Sequence, residues 1–252
     1  MLSKHLTNVI QNLEKKKFRE KYNLFKVEGE KLVEELLRSG LKIGTLIARP
    51  EWLAGKRMLP EGSPVVAVNE REMGRVSAFK SPPEVIALVE IPPPGEVKVP
   101  DGSLSVVLNG VQDPGNLGTI LRVCDWFGVH SLFCDRECAD HLNPKSVQAS
   151  MGAIFRVEVF YVDLLEFLPA HTREAFPCYG TFLEGESIHE SRLGEQGLIV
   201  MGNEGGGITP AVERFVTCRL TIPRYSPVAE SLNVGVATGI VLSEFRRKNK
   251  TR

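Results

Sequence analysis

Three short runs hold most of the residues able to do chemistry. Asn109-Gly-Val-Gln-Asp-Pro-Gly-Asn-Leu-Gly-Thr-Ile-Leu-Arg122 joins an Asp-Pro-Gly turn to a helix for which Asn116 is the expected N-cap. Met201-Gly-Asn-Glu-Gly-Gly-Gly-Ile-Thr209 is a glycine loop with one acid, Glu204, inside it. Ile222-Pro-Arg-Tyr-Ser-Pro-Val-Ala-Glu-Ser-Leu-Asn233 ends on a hydroxyl and an amide and feeds an apolar helix running to Phe245. Each run follows an apolar stretch that reads as a strand, and in open α/β sheets ligands gather beyond the carboxyl ends of the strands.

Neither glycine loop suits a nucleotide phosphate. Gly110 and Gly115 have phosphate-loop spacing, but Asn116-Leu117 stands where Lys and Ser/Thr are required. Gly202 to Gly207 reads G-x-x-G-G-G and comes late in its domain, so a dinucleotide-dependent oxidoreductase fits poorly. Three successive glycines permit close approach of backbone to a ligand. A carboxylate beside them favours a neutral or cationic one, and S-adenosylmethionine, with its sulfonium and adenine edge, meets that description. A metal site is not expected. His130, Cys134, Cys138 and His141 supply zinc-type ligands, but His130 and Cys134 fall on one strand, about 13 Å apart at strand rise.

The elements that must position these runs fall into two groups. From Lys4 to Lys31 the pattern is helical, with Leu6, Val9, Ile10 and Leu13 on one stripe. Phe25–Glu28 then alternates like a strand, Glu30–Arg38 reads as a helix, and β-rich runs follow at Gly44–Ala48, Pro64–Val68 and Glu84–Glu90. Residues 1–92 are therefore expected to form a small α/β domain. Residues 93–102, rich in proline, form a linker, and residues 103–252 form a second domain. There, strands are expected at Leu104–Leu108, His130–Cys134, Phe155–Phe160, Pro177–Leu183, Leu198–Met201 and Thr217–Ile222. Apolar strands alternating with helices indicate a largely parallel sheet.

The net charge of zero conceals an uneven distribution. Residues 1–31 carry a net +4 and residues 246–252 a net +5, leaving −9 for the middle. Basic ends can hold a polyanion, although a solvated helix and a frayed tail would carry the same charges. Five scattered cysteines suggest no disulfide framework, no apolar run is long enough to span a bilayer, and the N-terminus lacks the apolar core of a secretory signal. The chain is expected to be cytoplasmic.

Val111–Arg122, Gly202–Ile208 and Ser231–Ile240 resemble, in order and spacing, the three signature motifs of the SpoU-type (TrmH-like) RNA ribose methyltransferases of the SPOUT superfamily. Lys145–Gly152 resembles the family's intermediate segment, and Phe25–Glu35 the start of the RNA substrate-binding domain often fused ahead of the catalytic one. The resemblance implies an α/β fold with a deep trefoil knot at the C-terminus and a homodimer whose interface completes each active site. Small residues Gly235, Ala237 and Gly239 would allow the close packing this needs. It implies methyl transfer from S-adenosylmethionine to a ribose 2′-hydroxyl, without metal, on RNA, with ribosomal RNA favoured over transfer RNA. Gly202, Ile222 and Leu232 would contact the cofactor, while Asn116, Arg122, Glu204, Ser231 and Asn233 would form the polar centre. Arg224-Tyr225 departs from the family, where a methionine often follows Ile-Pro. Two alternatives stay open, a non-catalytic RNA-binding protein on the same fold and a base methyltransferase of the other SPOUT branch.

Overall fold

The computed structural model describes residues 2–55, 62, 64–228 and 230–248. Residues 249–252 of the basic tail lie outside the described residues. The stretch expected to be helical from Lys4 to Lys31 opens with two helices, α1 (Lys4–Asn12) and α2 (Lys16–Tyr22), then β1 (Leu24–Glu28) and α3 (Glu30–Ser39). The break between α1 and α2 has a side-chain cause. Lys15 is extended, and the Arg19 guanidinium donates to the carbonyls of Leu13 and Glu14 at 2.7 and 3.0 Å. Further on come β2 (Ile43–Ala48), α4 (Pro50–Ala54), β3 (Val65–Ala67), α5 (Glu70–Gly74) and β4 (Val85–Glu90). The four strands form one sheet in the order β1-β4-β2-β3, antiparallel except for β2 with β3. Buried Leu32, Val33 and Leu36 of α3 cover it.

Residues 91–103 form no helix or strand. Beyond them strands and helices alternate as expected except at β8, β9 and β10, which follow one another without a helix and include the unexpected short strand β9: β5 (Leu104–Asn109), α6 (Pro114–Trp126), β6 (Ser131–Cys134), α7 (Pro144–Ser150), β7 (Glu158–Tyr161), α8 (Leu164–His171), β8 (Cys178–Phe182), β9 (Glu186–Ser187), β10 (Gly197–Gly202), α9 (Pro210–Glu213), β11 (Cys218–Thr221) and α10 (Val234–Lys248). The strand expected at Phe155 begins at Glu158 because Ala153–Phe155 coil into a 3-10 turn. Seven strands form a wholly parallel sheet, ordered β7-β6-β5-β10-β8-β11-β9. After β5 the chain builds outward one way through β6 and β7, then returns to build the other half. The order therefore reverses between β5 and β10, where a crevice is expected at the carboxyl ends. Both strands are buried nearly throughout, which accounts for their unbroken apolar sequences.

The two sheets do not have wholly separate cores. Val147 of α7 is fully buried within the cluster built from Phe25, Val27, Leu36 and Val89, with Leu142, Ile154 and Phe155 packed against it. Arg156 joins Glu35 of α3 to Asp125 of α6 at 2.6 and 2.8 Å. Of the two glycines in the last helix only one proves tight: a Cβ on Gly235 would lie 2.9 Å from Thr119, whereas one on Gly239 would touch Val123 at 4.0 Å. Among the described residues no helix is long and apolar enough to cross a membrane.

Candidate active site

Side-chain hydrogen bonds bring the three loops together at the β5–β10 crevice. Gly202 pairs in register with Asn109, so the loops that follow β10 and β5 leave side by side. Asn116 donates through Nδ2 to Glu204, and Asn233 donates through Nδ2 to Asn116 Oδ1 at 2.8 Å. Asn116 thus meets one residue from each of the other two runs. Asn233 Oδ1 also accepts from the amides of Gly235 and Val236 at 3.0 and 3.3 Å, securing the start of α10.

The capping of α6 differs from expectation. Asp113, not Asn116, is its N-cap, and accepts the Asn116 amide at 2.9 Å. Pro114 takes the first helical position, which costs no hydrogen bond there, and Asn116 is left with its side chain free to turn to the other loops. Lys145 of α7 donates to Asp113 at 2.7 Å, and that bond holds the Asp113 carboxyl below its ordinary pKa. Sequence reasoning missed this pair, although a residue before a proline at a helix start is where a cap belongs. It also missed two buried or half-buried amides. Asn109 donates to Asp135 at 2.7 Å and accepts the Thr209 amide at 2.7 Å. Asn203 donates to the Gly110 carbonyl at 2.6 Å and accepts from the amides of Gly205 and Gly206. Together they staple the first loop to the second.

Gly202 is required by the protein's own backbone. A Cβ there would lie 2.2 Å from the Gly207 carbonyl carbon and 2.4 Å from the Ile208 nitrogen, since Asn203 and Gly207 pair and close the loop. Past that point the loop opens. Gly205, Gly206 and Gly207 are exposed, and a Cβ on Gly205 or Gly206 would meet only Asn203 Oδ1, at 3.5 and 3.9 Å. Ile222 is partly buried at the end of β11, and Leu232 is half exposed ahead of α10. An open backbone edge, a carboxylate and apolar side chains fit a cationic ligand with a flat apolar part, as S-adenosylmethionine is.

Two expected residues stand apart from the cluster. Ser231 is exposed at the end of its loop. Arg122 is exposed and its side chain makes no hydrogen bond or ion pair with a described residue, so Glu204 does not orient it. Six residues at 100° each turn Arg122 about 120° around α6 from Asn116. Glu204 is itself exposed and does not cap the Ile208-Thr209 turn, a task that falls to Asn109. A concavity of about 610 Å³ lined by Gly102, Pro177, Tyr179, Arg192 and Gln196 opens at the amino ends of the strands, away from this cluster. Among the described residues no group of three or more His, Cys, Asp or Glu is placed to hold a metal.

Comparison with known proteins bears on this arrangement. A model of the SpoU rRNA Methylase family matches residues 103–243, and one of an MRM3-like substrate binding domain matches residues 8–87. The chain is 31% identical to a Bacillus subtilis 23S rRNA guanosine 2′-O-methyltransferase, RlmP, over 94% of each chain. Among solved structures it resembles a TrmH-family protein from Porphyromonas gingivalis, with 38% identity, a TM-score of 0.90, and 98% of this chain and 99% of that one covered. An AdoMet-bound rRNA methyltransferase from Sinorhizobium meliloti gives 29% identity and a TM-score of 0.87 over 98% and 96% of the chains.

Proposed function

The chain belongs to the SpoU rRNA methylase family, and from that premise we propose that it transfers a methyl group from S-adenosylmethionine to a ribose 2′-hydroxyl of ribosomal RNA. The observation that carries this reading is the meeting of Asn116, Glu204 and Asn233, one from each loop, at the point where the sheet order reverses. The loop Gly202–Gly207, Ile222 and Leu232 would hold the cofactor, which supplies a methyl group on a sulfonium sulfur. Glu204 offers negative charge beside that cation, and Asn116 and Asn233 fix the carboxylate and the ribose.

A 2′-hydroxyl is a weak nucleophile until its proton leaves, so alignment and charge must be arranged in advance, and alignment alone can supply on the order of 7–11 kcal/mol. Arg122 would hold a phosphate beside the target ribose and set positive charge near the developing oxyanion. A guanidinium is effectively always protonated, so the proton passes to a phosphate oxygen or a water beside Arg122, not to Arg122 itself. Ser231 stands at the edge of the same loop, within the motif that the family resemblance assigns to the ribose-methylating branch.

Arg122 makes no contact with the cluster in a single chain, which favours a homodimer in which one subunit's Arg122 serves the other's loops. The exposed apolar residues Trp126, Val236 and Leu232 on and beside α6 and α10 supply a surface for it. Residues 1–92, with Lys15, Lys16, Lys17 and Lys21 exposed on or beside α2, would bind RNA ahead of the 93–102 linker, and residues 103–252 would carry the knotted catalytic domain. A ribosomal substrate suits a cytoplasmic enzyme. The test is transfer of labelled methyl to ribosomal RNA from cells lacking this gene, followed by nuclease digestion. Label on ribose is expected; label on a base, or none, would end this reading.

A further inference from the structure

α7 is shared between the two halves of the molecule. Its Val147 is 1% exposed inside the N-terminal core, while its other side presses on α6 at Gly118, where a Cβ would lie 2.5 Å from the Ser146 carbonyl and 2.6 Å from Ala149 Cβ. Contact that tight leaves no slack, so a shift of α7 must move α6. The loop leading into α7 is held from the N-terminal side. Arg19 of α2, only 2% exposed, reaches Asp140 at 2.5 Å while its other nitrogen bonds the Leu13 and Glu14 carbonyls. Asp140 in turn accepts from the Leu142 amide at 2.9 Å, and its carbonyl accepts the Ser146 hydroxyl at 3.0 Å. At the start of α7, Lys145 bonds Asp113, which caps α6 through the amide of Asn116.

Resting on the methyltransferase reading above, we infer that Arg19 and Asp140 are positioning residues. Their buried ion pair sets, through α7, Lys145 and Asp113, where Asn116 stands against Glu204 and Asn233. Arg19 lies on the same helix as the exposed Lys16, Lys17 and Lys21, so RNA phosphates held there bear on the same pair. The N-terminal domain thereby does more than collect substrate: its seating registers the catalytic amide. A double-mutant cycle measures such coupling directly.

The experiment uses the full chain with Asp140→Asn, Lys145→Gln and both together, assayed on ribosomal RNA from cells lacking this gene. Asp140→Asn should lower kcat about tenfold, in the range such couplings carry, with KM for RNA and affinity for S-adenosylmethionine within about threefold of wild type. Exchange of the Asn116 amide should quicken. The double variant should be no slower than the worse single one. Lys145 is an exposed residue, so Lys145→Gln keeps the test if Asp140→Asn fails to fold, and should lower kcat without raising KM. Unchanged kcat, a loss confined to KM, or rate losses that multiply would each overturn the inference. Should wild-type protein transfer no methyl to RNA, the functional reading fails by itself; unaltered Asn116 exchange would then be what sinks this one.

Discussion

Replacing Arg122 by alanine should separate chemistry from binding. The side chain is exposed and bonds to no described residue, so neither fold nor cofactor affinity should suffer. Losing a preorganised charge aimed at an oxyanion typically costs about 3–4 kcal/mol, so turnover should fall by roughly 10²–10³. Arg122→Lys should recover little, because one ammonium cannot reproduce a two-pronged hold on phosphate. Methyl-transfer rates and calorimetry with S-adenosylmethionine check both statements, and near-normal turnover of the alanine variant would remove Arg122 from the mechanism. Gly202→Val should behave in the opposite way. Its Cβ would collide with the carbonyl carbon of Gly207, so the loop must spring open and cofactor affinity should drop below calorimetric detection while far-ultraviolet dichroism stays native. Retained affinity would free Gly202 from any part in the cofactor loop.

At the scale of elements, the junction between α2 and the loop before α7 carries a titratable group. His141 packs on Tyr161 with ring centroids 5.7 Å apart and has Asp140 3.8 Å from Nδ1, with Arg19 and Lys16 also nearby. Burial, aided by the two cations and opposed by Asp140, pushes its pKa down to about 4. The folded protein then resists a proton that the unfolded chain accepts near pH 6.5, so stability is complete above about 6.5 and declines as pH falls toward 4. The slope should approach about 1.4 kcal/mol per pH unit in that window. His141→Phe should flatten it, as denaturant titrations at several pH values would reveal; an unchanged slope would place the acid sensitivity elsewhere. Asp140 does not confuse the reading. Burial raises its carboxyl, but the bond from Arg19 and the Leu142 amide outweigh this and hold it below the ordinary carboxylate range, so its own loss comes only in stronger acid. The strands, the parallel sheet and the three loops were legible from apolar runs, glycines and amides, because such patterns are local. The cap at Asp113 was misread because two capping residues lie three apart and only the proline distinguishes them. Arg19 could not be read at all: its bonds to Leu13 and Glu14 hold a break that no sequence pattern marks, and its partner lies 121 residues away.

For the whole molecule, a shared site would make activity a property of pairs. If Arg122 serves the neighbouring subunit, protein carrying Arg122→Ala and protein carrying Asn116→Ala, each expected to be nearly inactive alone, should complement when unfolded and refolded together. Half of the dimers are then mixed and each holds one intact site, so about a quarter of wild-type activity should return. Sedimentation of the wild type should give a species of twice 27.9 kDa. A mixture as dead as its components would mean that each chain completes its own site. The place of Val147 has a separate consequence, for how the protein is made. On the ribosome, domains tend to fold in order of emergence. Here the first 92 residues appear with a gap in their interior, and the side chain that fills it is translated about 55 positions later. The nascent N-terminal half should therefore stay loosely packed until its catalytic neighbour emerges behind it.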